Sequence, residues 1–191
     1  MLLFSIYASN ISINIETFKI LKEIANPLAT QIFGYVNSSF VVVLPLLVLY
    51  MYLKKDKDVY SFVIAGISLY VVSDLLKAFF KEPRPCNVES LSWINHISCE
   101  SSYSFPSNHA TVLSGLSLFL GKYKYIRIFY VAWLFTVLFG KLYVGAHYIT
   151  DIIAGFAISI AIAYFIFENR KKINEAVNNI VKRLFYKLSI K

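Results

Sequence analysis

Charge is in short supply along this chain. Lys, Arg, Asp and Glu make up 16% of its 191 residues, while 58% are hydrophobic and the mean hydropathy is +0.60. That scarcity excludes a soluble domain of this length, which could not hide so much apolar surface, and leaves a membrane protein as the default. Acidic residues are scarcer than basic ones, 11 against 19, for a net charge of +8. The excess invites a nucleic-acid reading, but the cations sit in short loops and a tail between apolar runs, the pattern that orients a membrane protein. No nucleic-acid partner is expected. Neither an internal repeat nor a low-complexity linker is present, so one unit over 1–191 is expected. A secretory leader is not expected, because residues 1–10 lack a basic n-region and a small-residue cleavage site. Cysteine is limited to Cys86 and Cys99. With only His96 nearby, they are too few for a structural zinc site of about four ligands. A disulfide, if their loop faces an oxidising compartment, and a free pair both stay open. No carboxylate cluster suited to magnesium is present, and no metal or cofactor is expected.

What the chain does have is long apolar runs. A helix needs about 20 apolar residues to cross a bilayer. Residues 33–53, 59–80, 105–121, 126–143 and 148–167 qualify, the third being short. The fold class is therefore all-α: a polytopic helical bundle with about five transmembrane helices in a core over 33–167. Pro45 should kink the first span. The N-terminal segment 1–30 carries an amphipathic stretch at 13–25, with Ile13, Phe18, Leu21 and Ile24 against Glu16, Lys19, Lys22 and Glu23. It suits a helix lying on the membrane, and a sixth span is the alternative. The tail 168–191 alternates apolar residues with seven Lys/Arg, as a basic surface helix does against anionic lipid. Five spans put Lys54, Lys55 and Lys57, then Lys122, Lys124 and Arg127, then Arg170, Lys171 and Lys172 on one side. The positive-inside rule makes that side, and the C-terminus, cytoplasmic. The long loop 81–104 and the turn 141–147 then face outward from the cell membrane.

Three polar clusters fall on that outer side. The first is Lys77-x6-Arg84-Pro85. Lys77 alone could be snorkelling to the interface. Arg84, stiffened between Pro83 and Pro85, adds a planar fork suited to phosphate, and Asp74 shares a helix face with Lys77. The second is Pro106-Ser107-Asn108-His109. Ser107 suits an N-cap, and a helix starting there turns free amides toward an anion. The third is Lys141-x5-His147-x3-Asp151. His147 and Asp151 stack on one helix face, so the carboxylate can hold one ring nitrogen protonated and leave the other as nucleophile. Gly145 allows close backbone approach. The plainer alternative is a buried, satisfied pair. Cations around an oxyanion, a nucleophile and an acid together describe phosphoryl transfer. Asn10-Ile11-Ser12 and Asn37-Ser38-Ser39 also fit the glycosylation pattern.

These clusters resemble the signature of the type 2 phosphatidic acid phosphatases, a family related in fold to vanadium-dependent haloperoxidases: Lys-x6-Arg-Pro, Pro-Ser-Gly-His and Ser-Arg-x5-His-x3-Asp. Asn108 stands for the glycine, and Gly140-Lys141 for the Ser-Arg pair. The resemblance implies that His147 attacks phosphorus and Asp151 orients it. It also implies that His109 protonates the leaving oxygen and then activates water. Lys77, Arg84, Ser107 and Lys141 would bind phosphate oxygens, with Asn108 beside them, and the reaction would use no metal. An outward site at the interface resembles that of polyprenyl diphosphate phosphatases, so a polyprenyl diphosphate (undecaprenyl- or dolichyl-type) in the membrane is the expected substrate. Phosphatidate- or phosphatidylglycerol phosphate-type monoesters are the alternative. A transporter that merely binds phosphate is the rival class, and it would call for paired broken helices.

Overall fold

The structure is a computed structural model that describes residues 11–88 and 99–189. Among the described residues are eight α-helices: α1 Ser12–Ile24, α2 Pro27–Ser38, α3 Phe40–Leu53, α4 Val59–Phe80, α5 Asn108–Leu116, α6 Lys124–Tyr143, α7 Ile149–Glu168 and α8 Arg170–Ser189. Their ends follow local chemistry. Asn26 caps α2 by accepting from the Ala29 N–H at 2.8 Å, with Pro27 in the first turn, where its missing N–H is harmless. Lys81 ends α4 in the left-handed region at φ 51°, and Pro83 forbids resumption just beyond it.

Helix α5 is the centre of the bundle. It packs chiefly against α7 and α4, while α2 lies on α6 and α1 on α7. Ala110, Leu113 and Leu116 of α5 are buried with Phe62 and Ala65 of α4, Val137 of α6 and Ile152 of α7. The outward faces are apolar too: Leu75, Phe129, Ile160 and Phe165 are exposed. A helix apolar all round is what a lipid solvent requires.

Four helical stretches are long and apolar enough to cross a membrane, namely Pro27–Leu53, Val59–Asn87, Lys124–Tyr143 and Ile149–Glu168. The bundle is the expected one. The short third run, 105–121, becomes the nine-residue α5 and a 3-10 turn at Ser117–Leu120. It is enclosed by its neighbours, so it carries Ser107, Asn108 and His109 inward rather than presenting a lipid face. The first stretch is interrupted at Ser39, whose hydroxyl accepts from Trp133 Nε1 at 2.8 Å, while Pro45 lies inside α3. Helix α1 is amphipathic as expected and seats Phe18 and Leu21 against Tyr143 and Tyr148.

The two ends of the bundle differ in chemistry. At one end the basic turns meet. Lys122 pairs with Asp56 and, at 3.0 Å, with Asp58. The Tyr123 hydroxyl donates to Asp56 at 2.7 Å. Asn174 of α8 accepts from the Ser61 N–H at 2.8 Å. At 1.5 Å per residue, the 22 residues of α4 place the opposite end about 33 Å away. The second and third motifs and Arg84 gather there.

Candidate active site

A cavity of about 620 Å³ opens between α3, α4, α5 and the α6–α7 turn, and its polar end is lined by Lys77, Arg84, Asn108, His109, Lys141 and His147. One residue set from each of the three sequence motifs therefore faces one space. Asp74 lines it as well. Ser107 is not among its lining residues. Its side chain accepts from the Ala110 N–H at 3.4 Å as the cap of α5, and its own N–H donates to the Asp151 carbonyl at 3.2 Å. That bond ties the start of α5 to the first turn of α7.

His147 sits in the turn between α6 and α7, fully enclosed at 1% exposure. The turn is possible because Gly145 takes φ 65°, and its carbonyl then accepts from the Cys86 N–H at 3.0 Å, docking the Arg84 loop onto it. His147 Nδ1 lies 3.3 Å from Asp151 Oδ2. Arg84 Nη1, which can only donate, lies 3.3 Å from His147 Nε2. The two neighbours agree on one tautomer: Nδ1 carries the proton toward the carboxylate, and Nε2 presents its lone pair. Burial and the nearby charges of Arg84, Lys77 and Lys141 hold the His147 pKa well below the ordinary imidazole value, so the ring is neutral at pH 7. A neutral imidazole with a directed Nε2 lone pair is a nucleophile.

Asp151 is fixed in turn. Its Oδ2 accepts from the Tyr148 N–H at 2.9 Å, within the first turn of α7, and from the Ser104 hydroxyl at 2.5 Å. Ser104 Oγ also lies 3.4 Å from His147 Nδ1. Ser104 has no spacing relation to any motif; only its place just before Phe105-Pro106 could have drawn notice.

The cations are buried and fully engaged. Lys77 donates to the carbonyls of Tyr103 at 2.6 Å and Ser104 at 2.9 Å, rather than to Asp74. Arg84 donates through Nε to the Ser102 carbonyl at 2.7 Å, through Nη1 to the Ala146 carbonyl at 2.7 Å, and through Nη2 to Glu100 Oε2 at 2.6 Å. Lys141 donates to Glu100 Oε1 at 2.8 Å. Burial would raise the Glu100 carboxyl, but Lys141 and Arg84 outweigh it and bring the pKa down to about 2. Glu100 is absent from the sequence motifs. The Cys86–Cys99 pair is joined as a disulfide, with Cα atoms 5.9 Å apart, immediately before it.

On the far wall, His109 packs its ring edge-on to Phe40, centroids 4.8 Å apart, and its Nε2 is buried without a hydrogen-bond partner among the described residues. Asn37 Oδ1 is likewise unpartnered and lines the cavity. Asn37 is buried, so its glycosylation pattern is out of a glycan's reach. Asn108 Oδ1 accepts from the Ser73 hydroxyl at 2.6 Å, a use for the side chain that replaces the family glycine. His96 and Asn10 lie outside the described residues. Among the described residues no three His, Cys, Asp or Glu side chains group so as to hold a metal ion.

The chain is similar in sequence and in fold to several known proteins. The chain is 26% identical over 160 residues to an undecaprenyl-diphosphatase of Sulfolobus acidocaldarius, covering 81% of this chain and 77% of that one. It is 24% identical over 169 residues to a lipid A 4'-phosphatase of Porphyromonas gingivalis, covering 79% and 70%. In fold it is similar to the crystal structure of Aquifex aeolicus LpxE, with TM-score 0.72 and 22% identity over 84% of this chain and 98% of that one. It is also similar to a PAP2 type phosphatidylglycerolphosphate phosphatase from Bacillus subtilis, with TM-score 0.65 and 21% identity over 84% and 85%. The family profile of the PAP2 superfamily matches residues 58–175, more than half of the sequence, and the chain belongs to that superfamily as a phosphoric ester hydrolase of the membrane.

Proposed function

We propose that this protein hydrolyses a polyprenyl diphosphate to the monophosphate and inorganic phosphate through a phosphohistidine. The observation that carries the reading is the continuity of the cavity. From the cations it runs between apolar walls that include Phe40, Leu44, Val48, Phe62, Ile67 and Leu116. A charged head and a long hydrocarbon tail fit such a space together.

His147 Nε2 attacks the terminal phosphorus, and the bond from phosphorus to the bridging oxygen breaks. The negative charge of the bound phosphate favours the protonated form of His109, which gives its proton to the leaving lipid monophosphate. Water then attacks the phosphohistidine, His109 takes the water's proton, and His147 leaves as neutral imidazole with release of inorganic phosphate. Asp151 keeps Nδ1 protonated and offsets the positive charge that forms on the ring. Lys77, Arg84 and Lys141, with Asn108 beside them, surround the phosphoryl oxygens and stabilise the charge that grows on them in the transition state. These cations supply the positive field that the reaction needs, so it proceeds with protein groups alone.

A lipid monophosphate is the second reading, favoured by the likeness to a lipid A 4'-phosphatase over a comparable share of the chain. One assay separates the two. Purified protein in detergent with a chelator present is given a polyprenyl diphosphate, phosphatidate, phosphatidylglycerol phosphate and a lipid A phosphate, and released phosphate is counted. The diphosphate should have the highest kcat/KM. No release from any of them would end the reading. His147→Ala should lower turnover by more than about a hundredfold, the scale of a lost nucleophile. Unchanged turnover would remove His147 from its role.

A further inference from the structure

The two oxygens of Glu100 occupy the two cations that a phosphoryl group would bind. Oε2 takes Arg84 at 2.6 Å and Oε1 takes Lys141 at 2.8 Å. The side chains of Arg84 and Lys141 are buried at 1% and 6% exposure, whereas that of Glu100 is 45% exposed. The carboxylate therefore reaches in from the rim, standing where phosphoryl oxygens would stand, and two buried cations share one anion that is still in contact with water. Stationary cations and an exposed anion make Glu100 the partner able to leave.

The segment that bears Glu100 is held at both ends. Cys99, directly before it, is bonded to Cys86, two residues beyond Arg84. The Ser104 N–H donates to the Glu82 carbonyl at 2.8 Å. Between these anchors the carbonyls of Ser102 and Tyr103 take Arg84 and Lys77. A carboxylate on so short a leash has an effective concentration in the millimolar range. It returns whenever the cations are vacated.

We propose that Glu100 is a tethered competitor of the phosphoryl group. It bridges Arg84 and Lys141 and offsets part of their charge while the site is empty, swings out when substrate arrives, and swings back as inorganic phosphate departs. This rests on the reading of Arg84 and Lys141 as phosphate ligands. A terminal phosphate displaces it because it brings up to about two negative charges and three acceptor oxygens, against one charge and two oxygens. A competitor of this kind weakens substrate and product alike. It raises KM and the dissociation constant of inorganic phosphate by one common factor and leaves kcat in place. With the open state populated at no more than about 10%, that factor is at least about tenfold.

The test compares wild-type protein with Glu100→Gln and Glu100→Ala in detergent. Inorganic phosphate binding is measured by calorimetry, and KM and kcat are measured on the lipid substrate. The expected result is a fall of about tenfold or more in both the phosphate Kd and KM, with kcat within about twofold of wild type. Equal or weaker phosphate binding in the variants overturns the proposal, since a carboxylate that merely braces the cations would weaken the site when removed. A second arm needs no variant. Reducing Cys86–Cys99 in the wild-type protein frees one end of the leash and lowers the effective concentration of Glu100. Phosphate should then bind several-fold more tightly, and unchanged affinity after complete reduction overturns the tether. The site assignment is judged separately, by Arg84→Ala placed in the Glu100→Gln protein. Retained phosphate affinity there removes Arg84 as a ligand, whatever Glu100 does.

Discussion

The Asp151 carboxylate makes its polar contacts through one oxygen. Oδ2 faces His147 Nδ1, the Tyr148 amide and the Ser104 hydroxyl together, whereas Oδ1 is buried with no hydrogen-bond partner among the described residues. Rotation of the carboxylate is therefore opposed by two donors other than His147. Ser104→Ala removes one of them. A hydrogen bond to a charged group contributes about 1.5–3 kcal/mol, so kcat should fall about tenfold to a hundredfold. KM should stay near wild type, because Ser104 is not among the residues lining the cavity. A matching rise in KM with unchanged kcat would mean that Ser104 serves binding instead. Residues of this kind mark the limit of what the sequence carries. His147 and Asp151 were legible because four-residue spacing on a helix makes them neighbours by geometry. Lys77, Arg84, His109 and Lys141 were legible because they end apolar runs. Ser104 and Glu100 reach the site through an irregular loop whose path is set by a disulfide and by carbonyls that bind Lys77 and Arg84. No periodic rule relates such residues to their targets.

At the scale of elements, the site depends on how closely α5 lies against α7. Gly155 of α7 makes that approach possible. A Cβ there would lie 2.7 Å from Ala110 Cβ, 3.0 Å from the Ser107 carbonyl and 3.1 Å from the Thr111 nitrogen. Two of these neighbours are backbone and the third is a methyl fixed to it, so no flexible side chain can yield. Gly155→Ala should force the helices apart at the turn that carries Ser107 and His109, opposite Asp151. Overpacking of this kind costs about 1–3 kcal/mol. The expected outcome is a lower Tm together with a loss of kcat, read by thermal melts and phosphate release in detergent. Gly121→Ala is the control, since its nearest contacts are at 3.7 and 4.0 Å in the distant turn before α6. Equal effects of the two would show that the packing argument is misplaced. The helices themselves were readable from hydropathy, because a chain in lipid has to satisfy its backbone within each segment. The role of α5 was less readable. A run of apolar residues looks the same whether lipid or neighbouring helices cover it, and only its shortness set 105–121 apart.

The whole molecule carries its positive charge toward one end. The turns bearing Lys54, Lys55 and Lys57, Lys122, and Arg170 and Lys171 border a single cavity there, with Asp56 and Asp58 bracing it. The site lies about a helix length away, beyond the 22 residues of α4. From the positive-inside rule we propose an orientation with the lysine turns and α8 in the cytoplasm and the phosphate site outside. That reading is consistent with the disulfide beside the site, since such bonds persist in oxidising compartments. It is tested by single cysteines, because both native cysteines are tied up in that bond. Lys57→Cys lies in the lysine turn, and Glu23→Cys lies near the end of α1, close to where the Tyr143 hydroxyl meets the Asn26 N–H at 2.8 Å on the site side. A membrane-impermeant maleimide on intact cells should label Glu23→Cys and should reach Lys57→Cys only after permeabilisation. The reverse pattern would place the site in the cytoplasm, and the substrate would then have to present its phosphate to the inner leaflet. The lipid would be the same in either case, but an outward site can act only on head groups already carried across the bilayer, so the orientation decides which pool of lipid phosphate this enzyme meets.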